Sequence, residues 1–276
     1  MMREYIPWFE LGDGSDERIA ETLILLTQWY KVARRAIVTL DTPYRIEAWQ
    51  RLRNESGFGI IPGIYSSPLL WNPEHNQREF DYRLGWMRIG EIVRDARSVC
   101  AGTSHFVLDH EAALCGTPVT SEAYYTNGSL IDPLLLRRGL SYLPRGPAQY
   151  WWYPSMYAGM DRRAQRSAAL CALADSALPL RSIDHSHGGP WARDNSIFKE
   201  ARHLLTIVNT SPAIPLLWFG EHHWPPAQLS EALELNPGPK VLLHPGYMPR
   251  PQWTDEVIAA IKALPTDKDE SDESAI

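Results

Sequence analysis

Two acidic residues stand two positions apart at the end of an apolar run. The run begins at His105, and Asp109 and Glu111 close it. Because alternate residues of a strand share one face, both side chains are expected to point into the same space. Two nearby carboxyl groups raise the pKa of one of them, which suits a general acid near neutral pH. The spacing predicts that Glu111 is the catalytic acid/base and that Asp109 raises its pKa or orients it. The alternative to catalysis is a structural role, in which one of these two carboxylates pairs with an arginine or caps a helix.

A third acidic residue, Glu221, follows the most apolar run of the chain, which starts at Ala213. Glycoside hydrolysis needs two carboxyl groups on either side of the scissile bond, one acid and one nucleophile or base. Glu221 is therefore the predicted nucleophile or second carboxylate, opposite Glu111. The alternative is that Glu221 is an exposed loop residue without a role in catalysis.

Several histidines also follow apolar runs in the second half of the chain. They are His185, His187, His222 and His244. Imidazole and carboxylate groups from several strands can bind a divalent metal. The sequence therefore leaves open a metal-dependent hydrolase or isomerase that uses these histidines with Glu111. The main hypothesis requires neither a metal nor another cofactor.

Aromatic residues are abundant, with 11 Trp and 12 Tyr. Such rings pack in cores and also stack on ligands, and the apolar C–H faces of sugars suit them. The predicted substrate-binding residues are Trp8, Glu10, Asp41, Tyr65, Trp71, Tyr157, Asp184, His185, Trp224 and His244. Trp71 and Trp224 stand in polar loops, which favours a binding role over core packing. A carbohydrate-binding barrel without catalysis is a further alternative.

Short apolar runs alternate with helix-like stretches along the whole chain. The predicted strands cover residues 5–10, 36–41, 59–65, 105–111, 149–157, 180–185, 213–221 and 240–244. This pattern predicts an α/β fold, a single (β/α)8 TIM barrel over residues 1–265, followed by an acidic disordered tail at 266–276. A doubly wound open sheet is the alternative, because alternation alone does not establish closure. Pro62 and Gly63 predict a bend or bulge in the third strand.

The strand-end glutamates resemble those of a known group of enzymes. A glutamate ending strand four and another ending strand seven are similar to the large clan of retaining barrel glycosidases, which implies that Glu111 is the acid/base and Glu221 the nucleophile. That clan usually has Asn before its acid/base, where this chain has His110. The Asp-x-Glu motif also resembles chitinase-type and muramidase-type barrels. The former carry an Asp at the position of Val107, and the latter an Asp where this chain has Glu10.

The charge and composition of the chain argue against some classes of binding partner. The net charge of −6 and the lack of a basic stripe argue against a nucleic acid. No apolar run approaches the ~20 residues of a membrane span, and the first residues do not form a signal peptide, so we expect a cytoplasmic protein. The three cysteines, an odd number without paired spacing, are typical of reduced thiols. The sequence therefore predicts a glycoside hydrolase whose partner is a carbohydrate substrate.

Overall fold

The structure is a computed structural model. It describes residues 4–66, 69, 79–100, 102–109, 139, 141–144, 149–153, 177–182, 214–218, 240–243 and 251–264. The predicted tail at 266–276 lies outside these residues. No helix in the described ranges is long and apolar enough to cross a membrane.

Eight parallel strands form a closed barrel in the order of the sequence. The strands are β1 (Tyr5–Gly12), β2 (Arg35–Leu40), β3 (Gly59–Tyr65), β4 (His105–Asp109), β5 (Gln149–Tyr153), β6 (Ala177–Ser182), β7 (Ile214–Trp218) and β8 (Lys240–Leu243). The barrel closes where β1 pairs with β8, so that Trp8 lies beside Leu243. The predicted (β/α)8 barrel is confirmed, and the alternative of an open sheet is wrong.

Four helices are described. They are α1 (Asp16–Trp29), α2 (Glu47–Ser56), α3 (Glu79–Val99) and α4 (Pro251–Ala263). Helix α1 buries Ile19, Leu26 and Trp29, whose spacing of three to seven residues lines one face of a helix. Helix α2 ends at Gly57, which adopts a left-handed φ of 73° that a glycine accepts without strain. These helices cover the outer face of the sheet.

The buried apolar side chains form two layers on opposite faces of the strands. Alternate residues of β1, such as Phe9 and Leu11, join the cluster that packs against the helices. Six buried apolar residues stand outside that cluster: Ile6, Trp8, Ile37, Ile61, Val107 and Trp151. Because alternate residues of a strand face opposite sides, these six fill the barrel interior.

Several features of the elements differ from those predicted; strand β6, for example, begins at Ala177 rather than at Leu180. Strand β1 does not end at Glu10 but continues to Gly12 through a shift of register, because Leu11 is fully buried in the helix-facing core. Helix α2 begins at Glu47 rather than at Tyr44. Strand β3 keeps regular pairing with β2 from Gly59 to Ile64, so the bulge offered as one possibility at Pro62 and Gly63 is wrong.

Candidate functional site

The carboxyl ends of β1 to β4 bring several predicted site residues to one edge of the barrel. Tyr65 pairs with Asp109 in register. Asp41 follows β2 directly, and its backbone N–H donates to the carbonyl of Gly12 on β1 at 2.8 Å. We call the level formed by Gly12, Asp41, Tyr65 and Asp109 the mouth row. Active sites of barrels lie at this end of the strands.

The level below the mouth row is closed by side chains of the barrel interior. The indole Nε1 of Trp8 donates to Thr39 Oγ1 at 2.7 Å, and the two residues are 2% and 4% exposed. A Cβ at Gly63 would lie 2.3 Å from Thr39 Oγ1, so only glycine fits beside this pair. Trp8, predicted to bind substrate, therefore lies in the floor beneath the mouth.

Glu10 alternates along β1 with the interior residues Ile6 and Trp8, so it stands on the side of the strand that faces the barrel interior. Its side chain is exposed to solvent, yet burial raises its pKa above the ordinary 4.5. Solvent reaches part of the residue, while the protein around its carboxyl group disfavours the charged form. A carboxyl group with a raised pKa can both donate and accept a proton closer to neutral pH than an ordinary one.

Asp109 is the last residue of β4 and is 4% exposed. Its backbone carbonyl accepts two hydrogen bonds from Ser66, one from the backbone N–H at 2.9 Å and one from the side-chain Oγ at 2.7 Å. Ser66 is fully buried. The backbone of this predicted catalytic residue is therefore fixed from the neighbouring strand.

A tight turn after β2 holds the next part of the mouth row. The carboxylate of Asp41 accepts a hydrogen bond from the backbone N–H of Thr42 at 2.6 Å. The hydroxyl of Tyr44 donates to the carbonyl of Tyr65 at 2.5 Å. Burial raises the pKa of Tyr44, and the charge of Asp41 raises it further, so the hydroxyl remains a donor. The turn thereby ties β2 to the end of β3.

Sequence reasoning missed four residues of this site: Thr39, Tyr44, Gly63 and Ser66. Two of them left a signal in the sequence. Thr39 interrupts the apolar run of β2, and a glycine inside a strand often marks a close backbone approach, here at Gly63. Tyr44 and Ser66 gave none, because their partners are backbone groups of other strands.

Several predicted site residues lie outside the described residues. They are the catalytic candidates Glu111 and Glu221, the binding candidates Trp71, Tyr157, Asp184, His185, Trp224 and His244, and the further histidines His187 and His222. Among the described residues, no group of three or more histidine, cysteine and acidic side chains could hold a metal ion. The predicted roles of all these residues stay predictions.

The chain is similar to solved structures of TIM-barrel proteins. A family 2 AP endonuclease from Brucella melitensis matches with a TM-score of 0.55 at 10% identity, over 96% of this chain and 100% of that chain. A D-allulose 3-epimerase from a Methylomonas species, in complex with D-allulose, matches with a TM-score of 0.55 at 13% identity, over 99% of this chain and 98% of that chain. A truncated 3-deoxy-D-arabino-heptulosonate 7-phosphate synthase from Thermotoga maritima matches with a TM-score of 0.50 at 10% identity, over 99% and 88%.

These likenesses show the fold. No protein-family model matches the chain. No curated protein matches it either.

Proposed function

We propose that this chain is an enzyme that acts on a sugar, with carboxyl groups of the mouth row and of Glu10 transferring protons. The observation that carries the proposal is the position of Glu10 on the interior-facing side of β1, in register with Thr39 of β2, where burial raises the pKa of its carboxyl group. Asp41 and Asp109 stand at the ends of the next strands and add carboxyl groups at the same edge. Tyr65, between them in register, supplies a ring that suits the C–H face of a sugar.

The reaction we favour is the isomerisation or epimerisation of a free sugar. In such a reaction a base removes the proton from a carbon beside the carbonyl group, and an acid returns a proton to form the product. A carboxyl group with a raised pKa serves in both steps. The full-length likeness to a D-allulose 3-epimerase supports this choice. None of the three structures named above is described as a glycosidase.

Glycoside hydrolysis is the second candidate. The two-residue spacing of Asp109 and Glu111 favours it, because that spacing places two carboxyl groups on one face of a strand. In this alternative, Glu111 is the acid and Glu221 the nucleophile or base. The isomerase proposal also allows for a divalent metal, which would be held by His185, His187, His222 or His244. The comparison with and without EDTA tests this metal.

The first experiment compares wild type with Glu10→Gln and Asp109→Asn on free aldoses and ketoses and on aryl glycosides, each with and without EDTA. We expect interconversion of a free sugar, and a decrease in kcat of about 100-fold or more in both variants, the usual contribution of acid–base groups.

The matched control is Glu4→Gln. Glu4 precedes β1 at the amino end of the barrel, where it pairs with Arg35 at 2.6 Å, so its loss should leave kcat within about twofold of wild type, as for a change away from the reacting groups. Activity in Glu10→Gln and Asp109→Asn equal to wild type would overturn the proposal. Turnover of aryl glycosides that Glu111→Gln abolishes would establish the hydrolase instead. Loss of activity in EDTA that a divalent ion restores would show that the reaction requires a metal.

A further inference from the structure

The last backbone carbonyls of β3 and β4 are held in the same way. Tyr44, in the segment after β2, donates its hydroxyl to the carbonyl of Tyr65, the last residue of β3. Ser66, in the segment after β3, donates its hydroxyl to the carbonyl of Asp109, the last residue of β4. In each case a hydroxyl that follows one strand fixes the end of the next strand. We call these two contacts the hydroxyl clamps.

The clamp on Asp109 fills both acceptor positions of one carbonyl oxygen. The backbone N–H of Ser66 donates at 2.9 Å and its Oγ at 2.7 Å, and a carbonyl oxygen has two lone pairs. Ser66 is fully buried, so water does not compete with either bond. The peptide plane that follows Asp109 is therefore fixed more firmly than by the sheet ladder alone.

The clamp on Tyr65 is made from a backbone conformation that tyrosine rarely adopts. Tyr44 has a φ of 55°, in the left-handed region that favours glycine. Its backbone N–H donates to the carbonyl of Asp41 at 2.8 Å, and its side chain is 7% exposed. Strained residues of this kind concentrate at functional sites, where the surrounding structure maintains them.

We propose that Tyr44 and Ser66 are positioning residues that set the orientation of Tyr65 and Asp109 towards the bound sugar. The inference rests on the proposed function, which assigns Tyr65 and Asp109 to substrate. A side chain leaves the backbone in a direction that its own peptide planes fix, so a carbonyl that is free to turn lets the side chain move. A displacement of about 1 Å at a reacting group lowers the rate by about 100-fold.

The test compares Ser66→Ala and Tyr44→Phe, each of which removes one clamp hydroxyl and no other group. We expect kcat to fall about tenfold while KM stays within about twofold, because orientation of the reacting groups changes more than ground-state binding. Where Ser66→Ala fails to fold, Tyr44→Phe carries the test.

The chain offers a control of the same chemistry for each clamp. Ser98 on α3 donates its hydroxyl to the carbonyl of Asp95 at 2.6 Å, and Tyr150 in the helix-facing core donates to the carbonyl of Pro144 at 2.9 Å. Ser98→Ala and Tyr150→Phe should keep kcat within about twofold, because neither hydroxyl reaches the mouth row. An equal loss of kcat in control and clamp variants would overturn the proposal.

A double variant separates positioning from general stability. If Ser66 acts through Asp109, adding Ser66→Ala to Asp109→Asn should lower kcat no further than Asp109→Asn does alone. Two losses that multiply would show that Ser66 acts independently of Asp109, which would overturn the proposal.

One readout does not depend on the sugar reaction. If wild type converts no sugar, the proposed function fails, and hydrogen exchange of the backbone amides in residues 105–109 decides on the clamp. Faster exchange in Ser66→Ala than in Ser98→Ala would support a clamp on β4. Equal exchange in the two variants would overturn it.

Discussion

At the scale of single residues, the surroundings of the Glu10 carboxyl group make the stability of the fold depend on pH. Burial raises its pKa above 4.5 because the surrounding protein disfavours the charged form. Between pH 4.5 and the raised value, the folded protein holds a proton that the unfolded chain has released. Stability therefore falls as the pH rises through this window, and Glu10 destabilises the fold at neutral pH.

Replacement of Glu10 by Gln should remove this pH dependence. We expect Glu10→Gln to gain free energy of unfolding relative to wild type as the pH rises above 4.5, with a constant difference below it. Urea unfolding at several pH values measures the difference. The control is Glu256→Gln, an exposed side chain on α4. If the curves of Glu10→Gln and wild type run parallel over the whole range, the surrounding protein does not raise the pKa of this carboxyl group.

A side chain at Gly63 should also destabilise the fold. A Cβ there would lie 2.3 Å from Thr39 Oγ1 and 2.9 Å from the Cα of Thr39, which is backbone and cannot turn away. We expect Gly63→Ala to lower the free energy of unfolding by about 1–3 kcal/mol, as overpacking does. Gly59→Ala on the same strand is the control, because its nearest contact is the flexible side chain of Arg35 at 3.2 Å. Equal urea midpoints for the two variants would refute the close approach.

At the scale of elements, the sequence located all eight strands, because each is an apolar run between polar segments. Its errors at the end of β1 and the start of α2 came from a charged residue and from a turn. The charge of Glu10 predicts that β1 ends there, whereas the strand continues and buries Leu11. The sequence predicts that α2 starts at Tyr44, whereas the positive φ of this residue excludes it from the helix. A positive φ in a residue other than glycine has no local sequence signal, and the hydroxyl clamps depend on strand neighbours distant in sequence.

The contact between α2 and β2 gives a prediction at the same scale. Trp49 of α2 is fully buried, and its Nε1 donates to the carbonyl of Val38 on β2 at 2.8 Å. Trp49→Phe removes this hydrogen bond and leaves space in the core, so we expect a loss of about 2–4 kcal/mol in the free energy of unfolding. Urea unfolding followed by circular dichroism measures it. A loss below about 0.5 kcal/mol, within the range of neutral surface changes, would contradict the prediction.

At the scale of the whole molecule, barrel closure joins the two ends of the described chain. Strand β1 pairs with β8 from Tyr5 to Trp8, and helix α4 contacts α1. Helix α4 and the residue after it bury four apolar side chains: Val257, Ile258, Ile261 and Leu264. Each such side chain contributes about 1.5–3 kcal/mol on burial, and their sum is comparable to the total stability of a domain, about 5–15 kcal/mol. We therefore expect the barrel to require helix α4.

Two truncations test this dependence and the predicted tail together. A chain that ends at residue 250 lacks α4, and we expect it to lose cooperative thermal unfolding, because the face of α1 that contacts α4 becomes exposed. A chain that ends at residue 265 lacks only the predicted tail, which carries five acidic residues and one lysine. We expect its Tm to stay within about 2 °C of the full chain, since removing solvated residues changes stability by less than about 0.5 kcal/mol. Calorimetry measures the unfolding of both truncated chains. Cooperative unfolding without α4 would show that the barrel does not depend on this helix. A large decrease in Tm without the tail would show that the folded unit extends beyond residue 265.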